Sequence, residues 1–341
     1  MTAPVWIPAL AHVKWYVDDP HNPPVDLRLL REPLVLGAIV AIVALTVGWR
    51  LVARRGPTPE LPVLSFLGAV APWIPRLLGI HLGVSLLSLA VSNAYLAPHL
   101  SLDDVPLGGA LALLQGVIGV WLITGVWLRP AALAVVLLGP IALLFTGVVP
   151  VVEAVDTLGV AIFLLLLPPT SERFGARPVT AAQLQRPLML MRMAAGLALV
   201  VLAFSEKLLV PDLANELLAQ YPEVDVFRIV GITLQPDTYV VFAGLTELLF
   251  GLLLISAAAP QVVVLVAAVP FNLTLLVFDR YELIGHLPVY GLLLALLVYG
   301  SHPDLAPAVP RFTSLPADDD AEAERGDQSD RDRTAQSRRS P

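Results

Sequence analysis

The sequence predicts an all-α, polytopic transmembrane helix bundle. The prediction rests on the amino-acid composition and on the length of the apolar runs. Of the 341 residues, 57% are hydrophobic and only 14% are charged, which is far more apolar than a soluble domain. Apolar runs of roughly 18 to 25 residues recur along the chain, and each is long enough to cross about 30 Å of hydrocarbon. The spans are expected to be helices, because only a helix satisfies its own backbone inside lipid without closing a barrel.

Residues 1–32 are expected to form an extracytoplasmic segment ahead of the first span. They show no basic stretch followed by a short apolar core and a small-residue cleavage site, so no cleaved signal peptide is expected. The aromatic residues of this segment allow two interpretations. Residues 12–16 can cap the outer mouth of the bundle, or Trp15 and Tyr16 can anchor the chain at the membrane interface, and we favour the interfacial anchor.

The first transmembrane helix is predicted over residues 33–55, and it ends in Arg50, Arg54 and Arg55, which mark the cytoplasmic side. Eight further spans are expected near residues 76–96, 107–128, 131–149, 152–167, 188–210, 238–256, 262–278 and 284–299. A total of about nine crossings places the N-terminus outside and the C-terminus in the cytoplasm.

The eight later spans divide into two four-helix units, residues 76–168 and 188–302, joined by a cytoplasmic linker over residues 169–187. After the second unit the apolar pattern stops, and residues 316–341 contain no apolar residue larger than alanine. Such a segment cannot bury enough surface to offset its chain entropy. Residues 312–341 are therefore predicted to be a disordered cytoplasmic tail.

Laying the two units over each other gives a weak internal repeat. The correspondence pairs Arg76 with Arg192, Gln115 with Glu247, Gly119 with Gly251, Glu153 with Glu282, and Thr157 with His286. It indicates parallel repeats related by an axis near the membrane normal, and chance similarity between leucine-rich spans is the alternative. Because the first unit is neutral where the second has Glu247 and His286, the second unit is the better candidate for chemistry and the first for scaffold.

An ionisable stripe opens the last predicted span. Glu282, His286 and Tyr290 are four residues apart, so on a helix they share one face. Ionisable groups at that depth usually face a bundle interior or a cavity, which indicates a functional site. The alternative, that Asp279, Arg280 and Glu282 are solvated loop charges, stays open at this point.

Glu247 lies near the middle of the seventh predicted span, where a carboxyl is expected to be protonated or paired. Gly244 and Gly251 flank it on one face and leave room for a neighbouring helix or a flat ligand. Lys207, at the outer end of the sixth span, is interpreted first as a snorkelling end-anchor and second as a catalytic base. A structural hydrogen bond between helices is the alternative role for Glu247 and His286.

These patterns define a candidate site. The candidate catalytic residues are Glu206, Glu247, His286 and Tyr290, and the candidate cofactor-binding residues are Arg192, Lys207, Gly244, Gly251 and Asn272. No metal site is expected, because the chain has no cysteine and its six histidines are dispersed. The net charge of −7 gives no support for nucleic-acid binding, so the lipid bilayer is the expected partner.

Two stretches resemble the DoxX/DoxD-type family of small four-helix membrane proteins. They are residues 192–211, RMAAGLALVVLAFSEKLLVP, and residues 242–255, FAGLTELLFGLLLI, with Arg192, Lys207 and Glu247 at motif positions. The resemblance covers residues 188–300 and, more faintly, 76–168, as a doubled version of the family's usual single unit. It implies a plasma-membrane protein of a bacterium or archaeon. Some relatives are subunits of quinone-linked thiosulfate oxidoreductases or membrane partners of redox-defence enzymes.

These patterns are compatible with three functions. The first is a membrane subunit of a quinone-linked oxidoreductase or redox-defence complex, with the quinone ring on the Gly244 and Gly251 face and with Glu247, His286 and Tyr290 moving protons. The second is a proton-coupled small-molecule transporter, as a duplicated fold with a mid-membrane acid suggests. The third is a non-catalytic scaffold whose tail recruits a partner, such as a redox enzyme subunit.

Overall fold

A computed structural model describes residues 13–17, 24–168, 179–229 and 231–310. The described residues form a helical bundle with one short two-stranded ribbon, β1 (Ala94–Tyr95) and β2 (Ala97–Ser101). The α-helices are α1 (Pro33–Ala53), α2 (Ile74–Val91), α3 (Gly108–Thr124), α4 (Leu128–Leu143), α5 (Val148–Glu153), α6 (Val155–Leu166), α7 (Ala181–Leu202), α8 (Pro211–Gln220), α9 (Val226–Ile229), α10 (Pro236–Ser256) and α11 (Pro260–Ser301). The predicted tail, residues 312–341, lies outside the described residues.

Five helical stretches are long and apolar enough to cross a membrane, which agrees with a helical membrane protein. They are Pro33–Ala53, Pro62–Val91, Ala181–Leu208, Pro236–Ser256 and Glu282–Ser301. Four shorter apolar stretches accompany them: Gly108–Thr124, Leu128–Leu143, Val155–Leu166 and Pro260–Leu275. Helix α1 packs against α10 and keeps most of its leucine and valine side chains on the outside of the bundle, as a lipid-facing helix does.

Two helices begin earlier than the apolar runs predict. A 3₁₀ helix, Pro62–Trp73, leads directly into α2, and α7 begins at Ala181 rather than at residue 188. The start of α7 is fixed by a capping box, in which the Thr180 side chain accepts from the Gln183 backbone and the Gln183 side chain accepts from the Thr180 backbone. Residues 181–187 of the predicted linker are therefore helical.

Helix α11 folds back on itself even though its backbone is helical throughout. Gln261 Nε2 donates to the carbonyl oxygen of Leu297 at 3.3 Å, and Tyr290 donates to the carbonyl oxygen of Phe271 at 2.7 Å. A straight helix would hold residues that are 36 positions apart at about 54 Å. The chain therefore reverses between Leu275 and Glu282, and α11 consists of two antiparallel arms, Pro260–Leu275 and Glu282–Ser301.

The same glycine crossing occurs once in each unit. A Cβ on Gly83 would lie 2.5 Å from the carbonyl oxygen of Gly119, and one on Gly196 would lie 2.6 Å from that of Gly251. Helix pair α2–α3 thus crosses as α7–α10 does, with backbones in contact because no side chain intervenes. The junctions that follow also match, since Trp127 and Ala259 adopt the left-handed conformation immediately before α4 and α11.

The two units also exchange their last helices. Gly159 of α6 packs against Met191 and Ala194 of α7, and Gly291 in the second arm of α11 packs in the same way against Leu78 and His81 of α2. Each unit therefore completes the core of the other. This arrangement places the end of α5 and the start of α6 beside the second unit, which matters for the site.

The register of the repeat differs from the one that the sequence suggests. The glycine crossings set Gly79, not Arg76, opposite Arg192. Both guanidiniums nevertheless reach equivalent carbonyl oxygens, Arg76 that of Leu122 at 3.3 Å and Arg192 that of Leu254 at 3.0 Å. A long side chain spans the one-turn difference, which is why pairing arginine with arginine gave the wrong register.

Candidate functional site

Residues 13–17, which we call the N-terminal plug, cover one end of the bundle, the capped end. Four consecutive residues of the plug each donate a hydrogen bond: the Val13 N–H to Glu206 (2.8 Å), Lys14 Nζ to Glu153 (2.5 Å), Trp15 Nε1 to His99 (3.0 Å) and the Tyr16 hydroxyl to Glu282 (2.8 Å). All four acceptors belong to the helical bundle or its β ribbon. The preferred interpretation of Trp15 and Tyr16 as interfacial anchors is therefore wrong, and they cap the bundle.

Beneath the plug, Lys207 lies between two carboxylates. Its Nζ is 2.8 Å from Glu247 Oε1 and 3.8 Å from Glu206 Oε2, and all three side chains are buried. A π-helical turn, Ala203–Leu208, follows α7 and carries Glu206 and Lys207, whereas Glu247 lies in α10. The sequence left open whether Glu247 is protonated or paired, and the structure shows that it is paired with Lys207. Lys207 does not snorkel, because its ammonium group is held inside the bundle.

Glu153, at the end of α5, is a second buried acid that the sequence assigned to scaffold. Its Oε1 accepts from Lys14 and from the Ser205 hydroxyl, both at 2.5 Å. Its Oε2 faces His99 Nε2 at 3.4 Å. Glu153 belongs to the first unit, which the sequence made the better candidate for scaffold. The signal was present, since Glu153 interrupts an apolar run just as Glu282 does.

His99 lies in β2 between the plug and Glu153. Because Nδ1 accepts from the Trp15 indole, the neutral ring carries its proton on Nε2, which points toward Glu153. Burial lowers the pKa of His99 to about 4, so the ring is neutral at physiological pH. His99 therefore positions the plug as a neutral hydrogen-bonding group.

The ionisable stripe of the last arm is assembled largely as predicted. His286 Nδ1 lies 3.3 Å from Glu282 Oε1, and both side chains are buried, so Glu282 is not a solvated loop charge. The Trp15 ring lies 4.8 Å from the His286 ring, centroid to centroid. Tyr290 continues the same face but donates to the backbone of the first arm rather than to the acids. The side chains of Asp279 and Arg280 lie outside the described residues.

A small cavity lies between the two units beside this stripe. Glu153, Asp156 and His286 line one part of it, and the rest is aliphatic and aromatic: Ala195, Ala198, Leu199, Leu202, Leu254, Ala267, Phe271, Val289, Leu292 and Leu293. Its volume is about 20 Å³, which holds about one water molecule. Asp156, like Glu153, comes from the first unit and was not among the sequence candidates.

The predicted quinone-binding face is filled by protein. A Cβ on Gly251 would lie 2.8 Å from the carbonyl oxygen of Gly196, and one on Gly244 would lie 3.0 Å from Leu208 Cγ. The sequence predicted that this face admits either a neighbouring helix or a flat ligand, and in the structure it is a helix that approaches closely. Neither this face nor the cavity of about 20 Å³ has room for an aromatic ring, so a quinone would need another site.

Two further candidates lie away from the site. Asn272 is exposed, and its amide donates to the carbonyl oxygen of Ala268 in its own helix at 2.7 Å. Arg192 is fully buried near the opposite end of the bundle, where it donates to the carbonyl oxygen of Leu254 at 3.0 Å. Arg192 therefore secures the end of α10 rather than binding a ligand beside Glu247.

The assembled site holds more acids than bases. Its carboxyls are Glu153, Asp156, Glu206, Glu247 and Glu282, and its basic side chains are Lys14, Lys207 and His286. Carboxylates that share a buried site do not all ionise unless cations match them. Such a set can take up and release protons as its neighbours move.

Comparison with family models, with curated proteins and with solved structures finds no match for this chain.

Proposed function

We propose that this chain is a proton-coupled membrane transporter whose proton site is the cavity between its two units. The observation that supports the proposal is that Glu153, Asp156 and His286, contributed by both units, line one small cavity. Transporters with internal repeats place their coupling sites at the repeat interface. The site therefore lies where movement of one unit against the other would change its surroundings.

In this proposal the nine apolar helical stretches all cross the membrane, with the capped end outside and the C-terminus in the cytoplasm. The basic residues Arg50, Arg54 and Arg55 at the end of α1, away from the capped end, support this orientation. The resemblance of residues 188–300 to the DoxX/DoxD-type family supports a bacterial or archaeal plasma membrane. A cysteine introduced at the plug should then react from outside intact cells.

The chemistry follows from the contacts. One water in the cavity can bridge His286 and the acids of α5 and α6, which gives a short path for a proton. Glu282 holds and orients the imidazole through Nδ1, at 3.3 Å. Movement that separates Lys14 from Glu153 would leave that carboxylate without its cation and favour proton uptake there.

A pH-jump measurement tests the proposal without knowledge of the substrate. Proteoliposomes adsorbed on a solid support should give transient currents when the outside pH is stepped, because protons enter a buried site. The currents should fall at least about tenfold in Glu153→Gln and His286→Gln, since each removes a proton-binding group. Asn272→Ala is the matched control and should keep them. Currents equal to those of protein-free liposomes would refute the proposal.

The quinone-linked oxidoreductase stays a prediction that rests on the family resemblance. Quinone extraction from the gently solubilised protein discriminates between the two functions. A stoichiometric bound quinone would favour the oxidoreductase and would require a site other than the filled glycine face. The scaffold function depends on residues 312–341, which lie outside the described residues.

A further inference from the structure

We propose that the place held by the Lys14 ammonium group is the binding site for the primary ammonium group of a small-molecule substrate that enters from the capped end. Lys14 would occupy the site when no substrate is present. This inference rests on the proposed function, because it names the substrate class of the transporter. The site is formed by Glu153, Glu206, Ser205 and His99, with Lys14 as its intramolecular occupant.

The Lys14 ammonium group is held as a ligand would be held. Its Nζ is 2.5 Å from Glu153 Oε1, an oxygen that the Ser205 hydroxyl also contacts. Lys14 is 15% exposed while Glu153 is fully buried, so the ammonium group enters a built site from its rim. An ammonium group has three donors on one compact charge, which suits carboxylate acceptors at short range.

The site keeps acceptors that the plug does not use. Glu206 Oε1 is buried and has no hydrogen-bond partner among the described residues, and buried Glu153 Oε2 faces only the His99 ring, at 3.4 Å. A buried, unsatisfied carboxylate oxygen is costly, which indicates that another donor completes the site. An incoming ammonium group can satisfy these oxygens as well as the one that Lys14 now occupies.

The charges around the site select a cation. When Lys14 is withdrawn, Glu153, Glu206 and Glu247 are left with Lys207 as the nearest ammonium group. This excess of negative charge attracts a cation and repels an anion. No group of three histidine, cysteine or acidic residues in the described part of the chain is placed to hold a metal ion. The hydrogen-bond acceptors around Glu153 therefore fit an organic ammonium better than a metal.

The plug is attached by hydrogen bonds that can all break when this one short segment moves away. Its hydrogen bonds to Glu206, Glu153, His99 and Glu282 all end on the bundle or its β ribbon, and residues 13–17 form a single short segment. Displacing Lys14 removes the strongest of these bonds, because it joins two full charges. Substrate binding would thus release the plug and open the cavity beneath the Trp15 ring, which now lies 4.8 Å from the His286 ring.

Chemical rescue tests the site directly. Lys14→Ala should lower the melting temperature by about 5 °C or more, because it leaves a buried carboxylate without its cation. Ethylammonium should restore at least half of that loss in a saturable manner, whereas K⁺ and tetraethylammonium at equal ionic strength should not. The matched control is Lys14→Ala combined with Glu153→Gln, in which ethylammonium should give no recovery.

A second measurement does not depend on the stability of that variant. The chain has no cysteine, so Val17→Cys introduces one thiol at a plug residue that is only 5% exposed. Ethylammonium should raise its rate of labelling by a membrane-impermeant maleimide at least tenfold, because it displaces the plug. Potassium ions at the same ionic strength should leave the rate unchanged.

The outcomes separate this inference from the proposed function. Neither rescue nor faster labelling with ethylammonium would overturn the ammonium site, even if the pH-jump currents are present. Rescue specific to ethylammonium, without pH-jump currents, would establish the site and overturn the transporter. Rescue by K⁺ equal to that by ethylammonium would overturn the assignment to an organic ammonium.

Discussion

Removing the Lys207 ammonium group with Lys207→Met tests whether the buried charges stabilise the bundle. The variant keeps the length and much of the volume of the side chain but leaves Glu247 and Glu206 facing each other without a cation. In the reverse change, Glu247→Gln, Lys207 keeps Glu206 at 3.8 Å. We therefore expect Lys207→Met to be the more damaging of the two substitutions.

The distances set the size of the effect. At the Nζ–Oε1 distance of 2.8 Å and an effective dielectric constant of about 20, the attraction between Lys207 and Glu247 is about 6 kcal/mol. At 3.8 Å the attraction to Glu206 is about 4 kcal/mol. Desolvation offsets much of this, so removing one partner of such a pair costs about 3 to 5 kcal/mol of unfolding free energy. Lys207→Met should lie at the upper end of that range and Glu247→Gln at the lower end.

Equilibrium unfolding in detergent micelles measures these differences, and the double variant Lys207→Met with Glu247→Gln completes a double-mutant cycle. The double variant should recover part of the loss, because Glu247 no longer carries an uncompensated charge and only Glu206 does. The matched control is Arg28→Met. Arg28 contacts Asp212 at a similar 2.7 Å but is 43% exposed, so its loss should cost about 1 kcal/mol or less.

Equal costs for Lys207→Met and Arg28→Met would refute the reasoning, because they would show that burial adds nothing to the pair. A double variant as unstable as Lys207→Met alone would refute the pairwise coupling. In that case the damage would come from lost packing around α7.

Three further predictions follow from the structure. Gly251→Ala and Gly119→Ala should each lower the unfolding free energy by about 1 to 3 kcal/mol, since each Cβ would lie 2.8 or 2.7 Å from a facing carbonyl oxygen. Gly37→Ala, with nothing within 4 Å, should be neutral or stabilising by up to about 1 kcal/mol. Equal effects at all three glycines would contradict the close backbone contact at the two helix crossings. Because burial lowers the pKa of His99 from 6.5 to about 4, its stabilisation is present above pH 6.5 and lost as the pH falls toward 4. His99→Gln should reduce the dependence of the melting temperature on pH between those values. An unchanged dependence would show that another group causes it. Asn272→Ala should leave the unfolding free energy within about 0.5 kcal/mol, because the exposed amide bonds only its own helix, and a larger loss would place that face in a contact.

Most of the helices were predictable because lipid imposes one rule on every span. The apolar runs predicted α1, α3 and α10 closely. The starts of α2 and α7 were predicted too late, since a 3₁₀ turn and a capping box extend helices beyond the apolar run. The pairing of Gly119 with Gly251 was correct, but long arginine side chains concealed the register of the first helix of each unit.

The site was predictable only where its residues share a helix. Glu282 and His286 meet because they are four residues apart, which any helix guarantees. The contacts of Glu153 with Lys14 and with Ser205 join residues 139 and 52 positions apart, and no local pattern specifies them.

By itself, the sequence determined that the chain is helical, with helices long and apolar enough to cross a membrane and with acids and an imidazole among them, because hydrophobic length and helical period are local properties. Only the tertiary structure decided that the two units exchange their last helices and that the plug delivers Lys14 to Glu153. Which buried charges become partners depends on how the helices pack, and packing is a property of the whole bundle.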